Sequence, residues 1–281
     1  MKPAVVVAVL GALLFAGCNR GKKETVATPI VNSGKAQPRA VGAAAAWKTV
    51  EEFDYALKPG QAPAHFTLQL PEKYNHPWDF TRIRIQTPGL AEFVLENEDG
   101  WVAYNNQEEP SAVYADLGAK NLVKSEYVLV LADSRVAGEP PLVFLRSRSY
   151  ASNPERLHVI GFKPSGEPVT LINRELSLEA FVDLDGDGRP EIIGLPCLSQ
   201  EFGHDLLTYD PYHVYKISQP ITGPIAISTE LSKAYNVRHH YGWAGAECSE
   251  KLAVVLHPPS GGKPVIMDVA EAEKLMQSSA K

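Results

Sequence analysis

Residues 183–191 read Asp-Leu-Asp-Gly-Asp-Gly-Arg-Pro-Glu, between the apolar pairs Phe181-Val182 and Ile192-Ile193. Counted from Asp183, carboxylates stand at positions one, three, five and nine, with Arg189 at seven. On a tightly curling backbone this alternation brings Asp183, Asp185 and Asp187 to one side, and Glu191 completes the set. Calcium takes about six to eight hard oxygens in loose geometry, and here the main-chain carbonyl of Arg189 would add to the carboxylates. Magnesium demands stricter geometry and keeps its waters, so an all-protein carboxylate cage favours the larger ion. Gly188 at position six permits the sharp turn. Pro190 sends the chain onward in an extended direction. Without a cation the carboxylates would repel one another at close range, a cost that predicts a ligand.

A loop of this kind needs rigid elements on both sides, and the flanks read as strands: Ala180-Phe181-Val182 before it and Glu191 to Pro196 after it. A helix would not run through Gly194 and Pro196. Position twelve, where an EF-hand places a bidentate Glu, is Gly194. The stretch FVDLDGDGRPEIIGLP instead resembles the calcium loop of FG-GAP (integrin-type, VCBS-like) repeats, where Asp-x-Asp-x-Asp-Gly-x-x-Asp/Glu is followed by apolar residues and Gly-x-Pro. The match covers about sixteen residues of one copy. It has one apolar residue fewer before Gly194 and no upstream Phe-Gly pair. The resemblance implies a calcium ion held by Asp183, Asp185, Asp187, Arg189 and Glu191, and a fold related to β-propellers. A site built wholly from protein oxygens leaves little room for substrate, so the ion is expected to be structural.

The remaining chain supports a β-rich reading. HFTLQL places Phe66, Leu68 and Leu70 on one face, and FTRIRI sets Phe80, Arg82 and Arg84 opposite Thr81, Ile83 and Ile85. Two apolar runs around Glu98-Asp99-Gly100 predict a hairpin, and Pro164–Pro168 a turn. YVLVLADSR, PLVFLRSRS, ERLHVIGF and PVTLIN read as short strands, with Arg146 and Arg148 on an outward face. TVEEFDYAL fits a strand better than a helix, because Pro59-Gly60 follows at once. Asp268 as N-cap with Glu271 three residues on predicts a short C-terminal helix. The expectation is a mainly β fold: a small or incomplete β-propeller-like arrangement of antiparallel hairpins, with a β-sandwich as the alternative. About 235 residues suit four or five blades of roughly 50.

The N-terminus reads as a leader. Lys2 precedes fourteen uncharged residues, Ala4 to Gly17, too few to span a bilayer but apt for a signal peptide. Ala16-Gly17-Cys18 resembles the lipobox of bacterial lipoproteins, with Phe15 where Leu is usual. That resemblance implies cleavage before Cys18, its acylation, and a lipid-anchored protein of the bacterial cell envelope, with Asn19 fitting the outer membrane. Residues 19–46 carry few large apolar side chains and read as a flexible tether, with the β-rich domain at 47–281. Cys197 and Cys248 are the other two cysteines; in an oxidising compartment they predict a disulfide contributing about 3–4 kcal/mol.

A net charge of −6 and no basic stripe give no grip on nucleic acid. His204, Asp205, Asp210, His213, His239 and His240 sit among Tyr209, Tyr212, Tyr215, Tyr235, Tyr241 and Trp243, without metalloenzyme spacing. Packing is the plain reading of that group, and a stacking or binding face the alternative. No nucleophile elbow, P-loop or dinucleotide fingerprint occurs. Two functional expectations stand: a non-enzymatic envelope binding or scaffolding module with a protein or glycan ligand, and a periplasmic hydrolase using the His-rich C-terminal loops.

Overall fold

The alternating segments pair into four antiparallel sheets. A computed structural model of the chain describes residues 46–73, 79–102, 130–132, 139–147, 154–203, 205–248 and 252–279. The leader with Cys18, the tether up to residue 45, Arg148 and His204 lie outside the described residues. The described residues all fall in one compact unit.

The first sheet is a meander of β1 (Trp47–Tyr55), β2 (Ala64–Pro71), β3 (Asp79–Gln86) and β4 (Phe93–Val102). A second meander follows, of β5 (Val130–Ala132), β6 (Leu142–Arg146), β7 (Arg156–Phe162) and β8 (Pro168–Glu175). The third sheet has β9 (Ser177–Val182) and β13 (His213–Tyr215) on either side of β10 (Glu191–Leu195). The fourth runs in the order β11 (Glu201–Gly203), β12 (Leu206–Thr208), β14 (Val254–Leu256), β15 (Val265–Met267). Two helices complete the description, α1 (Thr229–His239) and α2 (Val269–Ser279). No helix among the described residues is long and apolar enough to cross a membrane.

The second sheet is buried on both faces. Val143, Leu145, Ile160 and Phe162 pack against Phe66, Leu68, Ile83 and Ile85 of the first sheet. The alternate residues Leu142, Phe144, Leu157 and Val159 pack against Phe181, Ile192 and Tyr215 of the third. The pairings Val143↔Ile160 and Phe144↔Val159 keep each set on its own face. Double burial accounts for the unbroken apolar run of β6, since no polar face is left to alternate with. The fourth sheet rests one face on α2, through Leu206, Val254, Ala272 and Met276, and packs the other, through Val255 and Ile266, on Tyr209 and Tyr241.

Three expectations change. Glu98-Asp99-Gly100 does not turn a hairpin: β4 runs through it. The Asn97 side-chain amide donates to the Gly100 carbonyl at 2.7 Å and Gly100 takes φ +72°, so the excursion is a bulge within one strand. The matching register shift, between Phe80 and Arg82, carries Phe80 off the Arg82–Arg84 face into the core beside Trp101, their centroids 5.1 Å apart. Helix α1 occupies a stretch that reads as aromatic loop, because its buried positions are the polar Ser232 and Asn236. The Val214 N–H donates to Ser232 Oγ, and Asn236 exchanges hydrogen bonds with both the N–H and the carbonyl of Tyr212. The helix thus docks on β13 through backbone hydrogen bonds as well as packing. At the other end, the Ala270 N–H donates to Asp268 Oδ1 at 2.9 Å, so Asp268 caps α2 as its position predicts.

Candidate metal centre

Strands β9 and β10 form a hairpin whose last pair is Val182↔Glu191, and residues 183–190 are its connection. The sequence curls as its aspartates allow. Asp183 Oδ1 accepts from the Gly186 N–H at 2.7 Å and Asp183 Oδ2 from the Gly188 N–H at 2.9 Å. Asp185 Oδ1 accepts from the Asp187 N–H at 3.3 Å, and Asp187 Oδ1 from the Arg189 N–H at 2.9 Å. Gly186 and Gly188 sit at φ +76° and +84°, with open space where a Cβ would go, so conformation rather than room requires glycine there. Gly194 is required by close approach instead: a Cβ would stand 2.7 Å from the Ser177 carbonyl oxygen.

The three aspartates converge, each offering an oxygen within 4.8 Å of the others. Oxygens bound to one calcium at about 2.4 Å lie no more than about 4.8 Å apart, so the spread matches one coordination sphere. Asp185 and Asp187 are exposed and Asp183 half-buried. Asp183 is already tied to the backbone, but a carboxylate oxygen has lone pairs left after one hydrogen bond. Among the described residues these three aspartates are the group of His, Cys, Asp or Glu side chains that could hold a metal ion.

Glu191 lies at the base of the loop, 1% exposed. Its Oε2 accepts from the Leu184 N–H at 2.8 Å, which ties the carboxyl to the loop backbone, while its Oε1 is buried with no hydrogen-bond partner among the described residues. Glu191 is not among the three residues whose oxygens lie within 4.8 Å of one another. Burial pushes its carboxyl above the usual range; the Leu184 N–H and the Lys216 charge oppose this, and Asp185 and Asp187 reinforce it. A buried carboxylate oxygen left unsatisfied costs free energy that a bound cation would recover. The Arg189 guanidinium pairs with Glu139 Oε1 at 2.9 Å, and its main-chain carbonyl is the group it could offer a metal.

One residue of the site has no signal in the sequence. Lys216, 31 residues beyond Asp185, places its ammonium between Asp185 Oδ2 and Asp187 Oδ2, the latter at 2.8 Å. The ladder puts it there: Tyr215 pairs with Ile192, so Lys216 stands across from Glu191. Its hydrogen bonds to Asp185 and Asp187 hold the ammonium above its usual range and lower the Asp187 carboxyl. Part of the repulsion expected of a cation-free loop is therefore relieved within the chain.

Cys197 and Cys248 are disulfide-bonded, closing the stretch that carries β11 to β13 and α1 just beyond the hairpin. The histidines are held in local contacts. His213 Nε2 donates to the Ala246 carbonyl at 2.6 Å and its Nδ1 lies 3.2 Å from the Tyr215 hydroxyl, which accepts from Arg174. His240 packs on Tyr212 and Tyr241 and meets the Asp210 carbonyl at 3.2 Å, and His239 packs on Tyr235. Tyr209 bridges the Ala244 N–H and the Gly245 carbonyl. Asp205 is exposed at φ +59°.

What the arrangement offers is an oxygen-rich, hairpin-mounted pocket for a cation on a disulfide-bonded, mainly β scaffold. No family of known proteins, no curated protein and no solved structure matches the chain.

Proposed function

We propose that the chain is a calcium-stabilised, lipid-anchored envelope protein whose β-scaffold serves as a non-enzymatic binding or scaffolding module. The observation that carries the calcium part is the convergence of three aspartate oxygens within 4.8 Å of one another, with the buried Oε1 of Glu191 at the base of the same loop lacking a hydrogen-bond partner among the described residues. Asp183, Asp185, Asp187 and Glu191 would hold the ion with the Arg189 carbonyl, and the ion would supply charge neutralisation and rigidity. Support for a propeller-like arrangement comes from three antiparallel sheets that stack face to face in chain order. The envelope location and the anchor rest on the leader and Cys18. A protein or glycan partner is the reading for the loops that the rigid hairpin positions.

The test is a thermal melt of the purified protein with calcium and with a chelator, beside Asp185→Ala. Calcium at 100 times its dissociation constant stabilises a fold by about 2.7 kcal/mol, or about 5–10 °C for a domain of this size. A shift that Asp185→Ala abolishes is the expected outcome. An unshifted melt of folded wild-type protein would reduce residues 183–191 to a turn.

A further inference from the structure

Resting on the reading of residues 183–191 as a cation site, we infer that Lys216 is a resident competitor for that cation and sets the affinity of the site. Its ammonium stands between Asp185 and Asp187, the two aspartates whose side chains are free of the Asp183-type double tie to the backbone. A divalent ion drawing those carboxylates together must first turn Lys216 out. The route is open, because the side chain is 36% exposed on a flexible four-carbon stem and can swing to solvent.

Lys216 is an incomplete substitute for a metal. One ammonium engages two of the three converging aspartates, and the buried Oε1 of Glu191 at the base of the loop has no hydrogen-bond partner among the described residues even with Lys216 in place. That orphaned oxygen is the independent sign that another ligand belongs there. The neighbouring cation cannot fill the gap, since the Arg189 guanidinium is committed to Glu139, which also accepts from Gln219.

Two consequences follow for binding. Displacing Lys216 weakens the site relative to the same loop without it, and the displaced charge, held nearby by β13, still repels the bound ion. The tether also confers selectivity. Sodium or potassium carries no more charge than the ammonium and competes with a group held at high effective concentration, so only a multivalent ion has a clear advantage.

Calcium titration calorimetry of wild type, Lys216→Met, Lys216→Gln and Lys216→Arg tests this, with chelated melts to verify folding. Met keeps the apolar stem, Gln keeps a polar end, and Arg keeps the charge. Dissociation constants for Met and Gln roughly fivefold to tenfold below wild type are expected, with Arg close to wild type. Chelated Lys216→Met should melt below chelated wild type, because the aspartates lose their counter-ion. Wild-type binding with equal or weaker binding by both folded neutral variants would overturn the role of Lys216 and leave the cation site standing. Binding by neither wild type nor variants would overturn the cation site and the inference together. Binding by the neutral variants alone would support the inference and overturn the calcium reading of the native protein.

Discussion

Lowering the pH should unlatch the two sheets that meet at Trp101 and His158. The Trp101 Nε1–H donates to His158 Nδ1 at 3.0 Å, with 0% and 1% of the two residues exposed. An imidazole that accepts there cannot also carry a proton on that nitrogen. Burial, with the charge of Arg156 adding to it, pushes His158 down to about 4. In the unfolded chain the ring returns to about 6.5. Between these values the unfolded state binds more protons, so the contribution of His158 is full above about pH 6.5 and is lost as pH falls toward 4. The interval of about 2.5 units at about 1.4 kcal/mol each gives about 3 kcal/mol. Urea unfolding followed by tryptophan fluorescence, in chelator at pH 7, 6, 5 and 4, would measure it. His158→Asn leaves an acceptor for Trp101 but cannot titrate, and other ionisable groups cancel in the comparison. The variant should be weaker at pH 7 through lost packing, and its deficit should shrink by about 3 kcal/mol at pH 4. Parallel pH profiles for the two proteins would refute the account.

Three other perturbations separate the devices that hold the site. Reducing the disulfide, or replacing Cys197 and Cys248 by Ser, opens a loop whose ends are 51 residues apart and should cost about 3–4 kcal/mol in unfolding free energy. Gly194→Ala drives a methyl group against the Ser177 carbonyl and Leu176, and should lower stability by about 2–3 kcal/mol, read as a drop in melting temperature. Asn236→Ala strands the N–H and carbonyl of Tyr212 and should cost about 2–3 kcal/mol, with faster amide exchange along α1.

The convergence of Asp183, Asp185 and Asp187 was legible because its information is local. Aspartates at every second position and glycines at positive φ act within nine residues, and the backbone hydrogen bonds of Asp183 realise that local code. Strands were legible wherever one face is wet, as at Ile83 and Ile85 against Arg82 and Arg84. The failures share a cause: a remote partner decided the outcome. Helix α1 shows no apolar stripe because Ser232 and Asn236 meet the backbone of a strand some 20 residues earlier. Gly100 looks like a hairpin turn because Asn97 makes a turn-like contact there, yet β3 continues to pair on both sides of it. Lys216 reaches the aspartates only once β13 pairs with β10, and no spacing in the chain announces that.

The second sheet's burial on both sides sets a hazard for the chain before it is folded. Leu142-Val143-Phe144-Leu145 has no water-facing side in the native protein, so until the sheets on either side arrive it is a bare, uncharged, β-forming segment of the kind that seeds aggregation. Pro140 and Pro141 stand immediately before it and Arg146 immediately after, the placement of residues that discourage intermolecular strand stacking. Substitutions that weaken docking of the first or third sheet should therefore appear first as lost soluble yield. Pro141→Val or Arg146→Val, by removing a gatekeeper, should lower that yield even where the folded protein that survives is equally stable.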